Sequence, residues 1–162
     1  MFERFSILAR QAVMIARKEA GLAGAGSIDT EHLLIGILCI HSELDKQLGT
    51  EIQVGSIRKR SERWHIPSTP IPDSTDLPVT PDLNRIFTRA SLDADGQRCR
   101  ETRTEHLLSS MIEGPGHATE LLVESGITKE KLLALMSKVD CNGTQVATDA
   151  SLVAMKSMLE LG

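Results

Sequence analysis

Two glutamates, Glu31 and Glu105, stand in the same surroundings. Each is the second letter of a Thr-Glu-His-Leu-Leu run, at Thr30–Leu34 and at Thr104–Leu108, 74 positions apart. Each carboxylate falls in the first turn of an expected helix, directly after a threonine of capping type. A carboxylate there is favoured by the helix dipole by about 0.3–1 kcal/mol and needs no ligand to justify it. The same placement also makes an anionic socket. A carboxylate grips a guanidinium at two points, and hydroxyls and amides at a helix start hold an anion. Together such groups suit a zwitterion such as phosphorylated arginine.

His32 and His106 recur with the glutamates, and with Cys39 and His41 they raise metal chemistry. The spacing argues against it: there is no His-Glu-x-x-His and no closed four-ligand set. A histidine early in a helix more often packs or caps. A small metal-dependent hydrolase using His32 and His106 is nevertheless the rival from the enzyme class. No Gly-x-Ser-x-Gly elbow or phosphate-binding glycine loop accompanies them, so the expectation is no enzyme, no cofactor and no metal. The hydroxyls of Ser6 and Thr80 suit helix caps better than nucleophiles. Arg58, Lys59, Arg60, Arg63, Trp64 and His65 form a basic run with one aromatic, best taken as a solvated helix face. Phe2 and Val79 are the candidate partner-facing apolar residues, with Phe5 more at home in the core.

The elements that position these residues repeat as well. Phe5, Leu8, Ala9, Ala12, Ile15, Ala16 and Ala20 make one apolar helical stripe, and Leu83, Ile86, Phe87, Ala90 and Ala94 repeat it. Thr80-Pro81 is a helix start, a capping hydroxyl followed by proline at the first helical position. Short apolar helices follow from Glu31 to about Ile40 and from Glu105 to about Ile112. Further helices are expected near Ser42–Leu48 and Val54–Trp64, and near His117–Ser125 and Lys129–Val139. That is four helices per repeat and about eight in all, an all-α protein. Residues 1–64 are the first repeat and 80–139 the second. The stretch 65–79 holds Pro67, Pro70, Pro72 and Pro78, too many for a helix, and is an extended linker. Residues 140–162 form a tail with a helical stretch, Ala150–Leu161, that has no partner in the repeat.

Composition narrows the class. Among 162 residues there are three Phe, one Trp and no Tyr, so the core is aliphatic and suited to helices. A net charge of −4 disfavours a general nucleic-acid binder, and no apolar run approaches a membrane span. Cys39, Cys99 and Cys141 are an odd set without paired spacing, expected as free thiols of a reducing compartment. The N-terminus has no signal-peptide pattern, and the expected location is the cytoplasm.

Met1–Ser6, the twin Thr-Glu-His-Leu-Leu runs and the Val79-Thr80-Pro81 restart together resemble the double N-terminal repeat domain of the Clp unfoldase ATPases, the ClpC type above all. The resemblance spans about residues 1–139. It implies two four-helix repeats related by a pseudo-twofold axis. It also implies a protein-binding accessory or adaptor role in Clp-dependent proteolysis, with substrates, adaptors and Clp ATPase or protease subunits as partners. A decoy that competes for Clp adaptors would present the same surface. In ClpC-type members each repeat offers a phosphoarginine socket, a glutamate taking the guanidinium and a hydroxyl at the start of the first helix helping with the phosphate. By position these are Glu31 with Ser6 and Glu105 with Thr80. Asp29 and Arg103 stand where the family usually has glycine. Asp29 brings negative charge to the phosphate side, and Arg103 is placed to pair with Glu105 or with a phosphate. No Gly-x-x-x-x-Gly-Lys-Ser/Thr loop occurs in the 162 residues, so no ATPase activity is expected.

Overall fold

A computed structural model describes residues 2–41, 52–138, 141, 152–153 and 155–157. Its first helix, α1, spans Ile7–Leu22 and starts where the Ser6 hydroxyl accepts the Ala9 amide at 3.1 Å. The buried face is the expected stripe of Leu8, Ala9, Ala12, Ile15, Ala16 and Ala20. A short loop turns the chain back into α2, Thr30–Ile40. Of its eleven residues only Cys39 escapes full burial, which makes α2 the centre of the first repeat. Helix α3, Val54–Ser61, runs into a 3-10 turn at Glu62–Trp64.

The second repeat copies the first at the same offset. Helix α4, Pro81–Gly96, begins and ends 74 positions after α1. Thr80 accepts the Leu83 amide at 3.2 Å, as Ser6 does that of Ala9. Helix α5, Thr104–Glu113, answers to α2, and α6 (His117–Glu124) and α7 (Lys129–Met136) follow. Thr128 caps α7 through the Lys131 amide. The described residues thus contain these seven α-helices, one 3-10 turn and helical tail residues at 152–153 and 155–157, with no β-ladder among them, and the fold is all-α. None of these helices is long and apolar enough to cross a membrane. The helix expected near Ser42–Leu48 falls outside the described residues.

The 65–79 stretch is non-helical but does not float. Ile71 donates its amide to Gly21 O at 2.8 Å, and Arg17 reaches Pro72 O, so the stretch is bound along the end of α1. The core is mostly Leu, Ile and Ala, with Phe5 and Phe87 fully enclosed. Phe2 packs edge-on against both at 5.1 and 5.3 Å, and Val79 is half-buried against the same core, so only part of either faces outward. From the tail, Met155 joins the core, while Leu152 and Val153 are exposed.

One expectation about cysteine is corrected. Cys99 and Cys141 form a disulfide across 42 residues, and Cys39 is a half-buried free thiol. The linear spacing carried no sign of this, because the pairing depends on the chain returning past α7 to the end of α4.

Candidate functional site

Before each Thr-Glu-His run the chain is extended, and there the two repeats interlock. Ile28 pairs with Val79 and Phe5 with Thr102 in two isolated parallel bridges, each the image of the other at the 74-residue offset. Thr80 donates its amide to Ile28 O at 3.0 Å, and Ser6 donates its amide to Thr102 O at 2.9 Å. Each first-helix start therefore lies beside the other repeat's run. The expected pairing of Glu31 with Ser6 and Glu105 with Thr80 is exchanged: Thr80 belongs with the Glu31 run and Ser6 with the Glu105 run. The reason is geometric. Helices α1 and α2 are antiparallel neighbours, so the start of α2 lies by the end of α1, about 24 Å from Ser6 for a 16-residue helix.

Asp29, at the N-cap of α2, is absorbed by this junction. Its Oδ1 accepts the Thr30 amide at 2.7 Å and the Thr80 hydroxyl at 2.9 Å. The Thr80 hydroxyl is thus engaged twice, as a cap and as a donor to Asp29. Ser6 is fully buried.

All five histidines of the chain gather at the two runs. His32 Nδ1 accepts the Asp29 amide at 2.9 Å, and His106 Nδ1 accepts the Arg103 amide at 2.8 Å. They fill the place of the glutamate in a capping box. His41 Nε2 and the Thr104 hydroxyl are 2.7 Å apart, and the Thr30 hydroxyl accepts the Ala118 amide at 3.0 Å. That last bond needs Gly116, whose φ of +119° and missing Cβ leave room for the Thr30 side chain.

The remaining two histidines cover Glu31. His117 Nδ1–H donates to Glu31 Oε2 at 3.1 Å, and His65 Nε2 lies 2.7 Å from Oε1. The second contact is a close approach without hydrogen-bond alignment, since Oε1 and His65 Nε2 both lack a hydrogen bond. Glu31 is completely enclosed. Burial, and then the Asp29 charge, push its carboxyl above the usual range, and its backbone hydrogen bond, His117 and His65 pull the other way. Burial also holds the His32 imidazole down to about 4. Glu105, by contrast, is half-buried.

Two sets of ligand-type atoms approach one another here: Glu31, His32 and His65, and Asp29, Glu31 and His117. A third is Cys99, His106 and Cys141. The capping bonds count against His32 and His106 as ligands. A backbone N–H can only donate, so the accepting Nδ1 carries the lone pair and the neutral ring is protonated at Nε2. That nitrogen faces its cluster with a proton, not a lone pair. His106 uses it to donate to Gln97 Oε1 at 3.2 Å. The two histidines also fall in different clusters, so they do not form one metal centre.

The basic run is solvent-facing as expected, with Arg58, Lys59, Arg60 and Arg63 all exposed, and several of its charges are paired at the surface. Arg58 grips the buried Glu19, with contacts of 2.5 and 3.1 Å, and Arg63 pairs with Glu124 at 2.6 Å and Glu120 at 3.7 Å. Arg63 also lies over Trp64, which stacks on His117 at 4.1 Å. Sequence inspection placed His65 in that run and His117 merely at a helix start. No spacing rule joins them to Glu31, because they are brought there from two different connections.

Residues 4–125 match the Clp repeat (R) N-terminal domain family. The chain belongs to that family. Among curated relatives it is 26% identical over 146 residues to the chloroplastic chaperone protein ClpD of Arabidopsis thaliana, covering 83% of this chain and 15% of that one. It is 27% identical over 161 residues to the ClpA homologue, an ATP-dependent Clp protease ATP-binding subunit, of Cyanidium caldarium, covering 93% and 18%. The chain therefore spans less than a fifth of the length of these relatives. The crystal structure of the Arabidopsis thaliana ClpD N-terminal domain superposes with a TM-score of 0.68 at 26% identity, over 84% of this chain and 99% of that one.

Proposed function

We propose that this chain is a protein-binding accessory module of Clp-dependent proteolysis, without an active site of its own. Its partners in this proposal are substrate or adaptor proteins and Clp ATPase or protease subunits. Membership of the Clp N-terminal repeat family supports this, as do relatives named as Clp chaperones and protease subunits. The capping roles of His32 and His106 weigh against a hydrolase built on them. Nucleic acid is not a partner in this proposal, because Arg58 and Arg63 are matched by Glu19, Glu120 and Glu124.

Of the two sockets, the second repeat's is the one proposed to recognise phosphoarginine. The observation that carries this is the difference in burial: Glu105 reaches solvent, and Glu31 is shut in beneath two imidazoles. Glu105 takes the guanidinium at two points. The phosphate meets the start of α1, where the buried Ser6 hydroxyl is spent on its cap and the helix dipole attracts the anion. Calorimetric titration with free phosphoarginine, against arginine and phosphate controls, tests the proposal. Saturable binding lost in Glu105→Ala supports it. Binding that survives in Glu105→Ala, or equal affinity for plain arginine, rejects it.

A further inference from the structure

The two imidazoles over Glu31 occupy the place of a ligand. A guanidinium bound to a carboxylate puts one N–H on each oxygen. Here His65 Nε2 lies against Oε1 and His117 Nδ1 against Oε2, at 2.7 and 3.1 Å, so the carboxylate is contacted on both oxygens from within the chain. The two halves of this cover differ. His117 is hydrogen-bonded and backed by the Trp64 ring, stacked parallel within 4°. His65 comes from the proline-rich connection, leans on the His32 ring with centroids 5.1 Å apart, makes no hydrogen bond to Glu31, and is 21% exposed. Outside the cover lies a cavity of about 510 Å³, bordered by Asp29, Trp64, His65, Ser68 and His117. That is room for a long side chain. These two imidazoles are not repeated at the second run, since the positions 74 residues away from His117 and His65 are Glu43 and Val139.

We infer that His65 and His117 are a built-in occupant of the first socket. They stand against its two oxygens where a guanidinium would, His117 hydrogen-bonded and His65 in contact only, and the socket admits an arginine-type ligand from the outer cavity only when His65 swings off Oε1. This makes the module single-sited at rest and two-sited when opened. The inference rests on the phosphoarginine proposal for the nature of the ligand, and on Glu31 geometry for the cover itself.

Two readouts on the intact chain separate these. Carbodiimide–amine labelling with peptide mass spectrometry reports access to each glutamate. In the wild type Glu105 should label and Glu31 should not. In His65→Ala/His117→Ala, and in the milder His65→Gln, Glu31 labelling should rise towards that of Glu105. Calorimetry with phosphoarginine should give one site per chain in the wild type and two in the opened variants, the second site lost on adding Glu31→Gln. Glu31 labelling in the wild type, or protection persisting in variants that circular dichroism shows folded, overturns the cover while leaving binding at Glu105 standing. Labelling that rises with no phosphoarginine bound by any variant overturns the ligand assignment for both sockets.

Discussion

The Thr80 hydroxyl donates to the Asp29 carboxylate across 51 residues, at 2.9 Å, and accepts the Leu83 amide at 3.2 Å. One side chain thus starts the second repeat's first helix and fastens it to the first repeat's Thr-Glu-His run. Replacing Thr80 with Ala should cost about 0.5–2 kcal/mol for the cap. Because Asp29 also caps its own helix, Thr80→Ala and Asp29→Ala should not add. A urea double-mutant cycle should return a coupling of about 0.5–3 kcal/mol, and additivity would mean that the interlock carries no energy.

Gly36 and Gly55 should respond oppositely to the same substitution. A Cβ on Gly36 would lie 2.3 Å from the Ala12 carbonyl oxygen, so α1 and α2 are in backbone contact there. At the equivalent place in the second repeat the helices stand far enough apart for Ser110 to donate its hydroxyl to Ile86 O at 3.0 Å. Gly36→Ala should lower stability by about 1–3 kcal/mol through forced separation of the helices. Gly55→Ala, in α3 with nothing near, should raise it by about 0.4–1 kcal/mol. Denaturation midpoints of the two variants decide the matter.

Stability should fall in mild acid. Burial holds His32 at about 4 in the folded chain, against 6.5 for the free side chain, and burial also lowers His41 and His106. The unfolded chain then binds more protons than the folded one between these values, so stability is fully present above about pH 6.5 and is lost as pH falls towards 4. For His32 alone the loss is on the order of 3 kcal/mol. The raised Glu31 carboxyl has the opposite sign, favouring the folded state as it protonates, and offsets part of the slope. Urea titrations between pH 7.5 and 5 should show the loss, reduced in His32→Asn. A flat profile would contradict the enclosed positions of these rings.

Under oxidising conditions alkylation should find one reactive thiol, Cys39, and after reduction three. A bond closing 42 residues is worth about 4 kcal/mol in the chain-entropy treatment. Reductant or Cys141→Ser should therefore lower the melting temperature by several degrees. Three reactive thiols in the oxidised protein would show that the tail is not tied to the end of α4.

The amino-acid order by itself determined everything about this protein that depends on neighbours along the chain. The 74-residue repeat, the stripe of Leu8, Ala12, Ile15 and Ala16, the caps at Ser6 and Thr80, and the non-helical proline stretch were all legible, because helix periodicity and capping bonds span only three or four residues. The capping role of His32 and His106 belongs to the same local class. Tertiary structure alone decided which hydroxyl meets which glutamate. A helix of 16 residues carries the chain away from Ser6 before Glu31 is reached, and only the interlocked bridges bring Thr80 there instead. It also decided that Glu31 is fully enclosed while Glu105 is only half-buried. His65 and His117 lie 34 and 86 positions from Glu31, and contacts that distant leave no period in the sequence, since they are set by how two repeats pack and not by how either one winds.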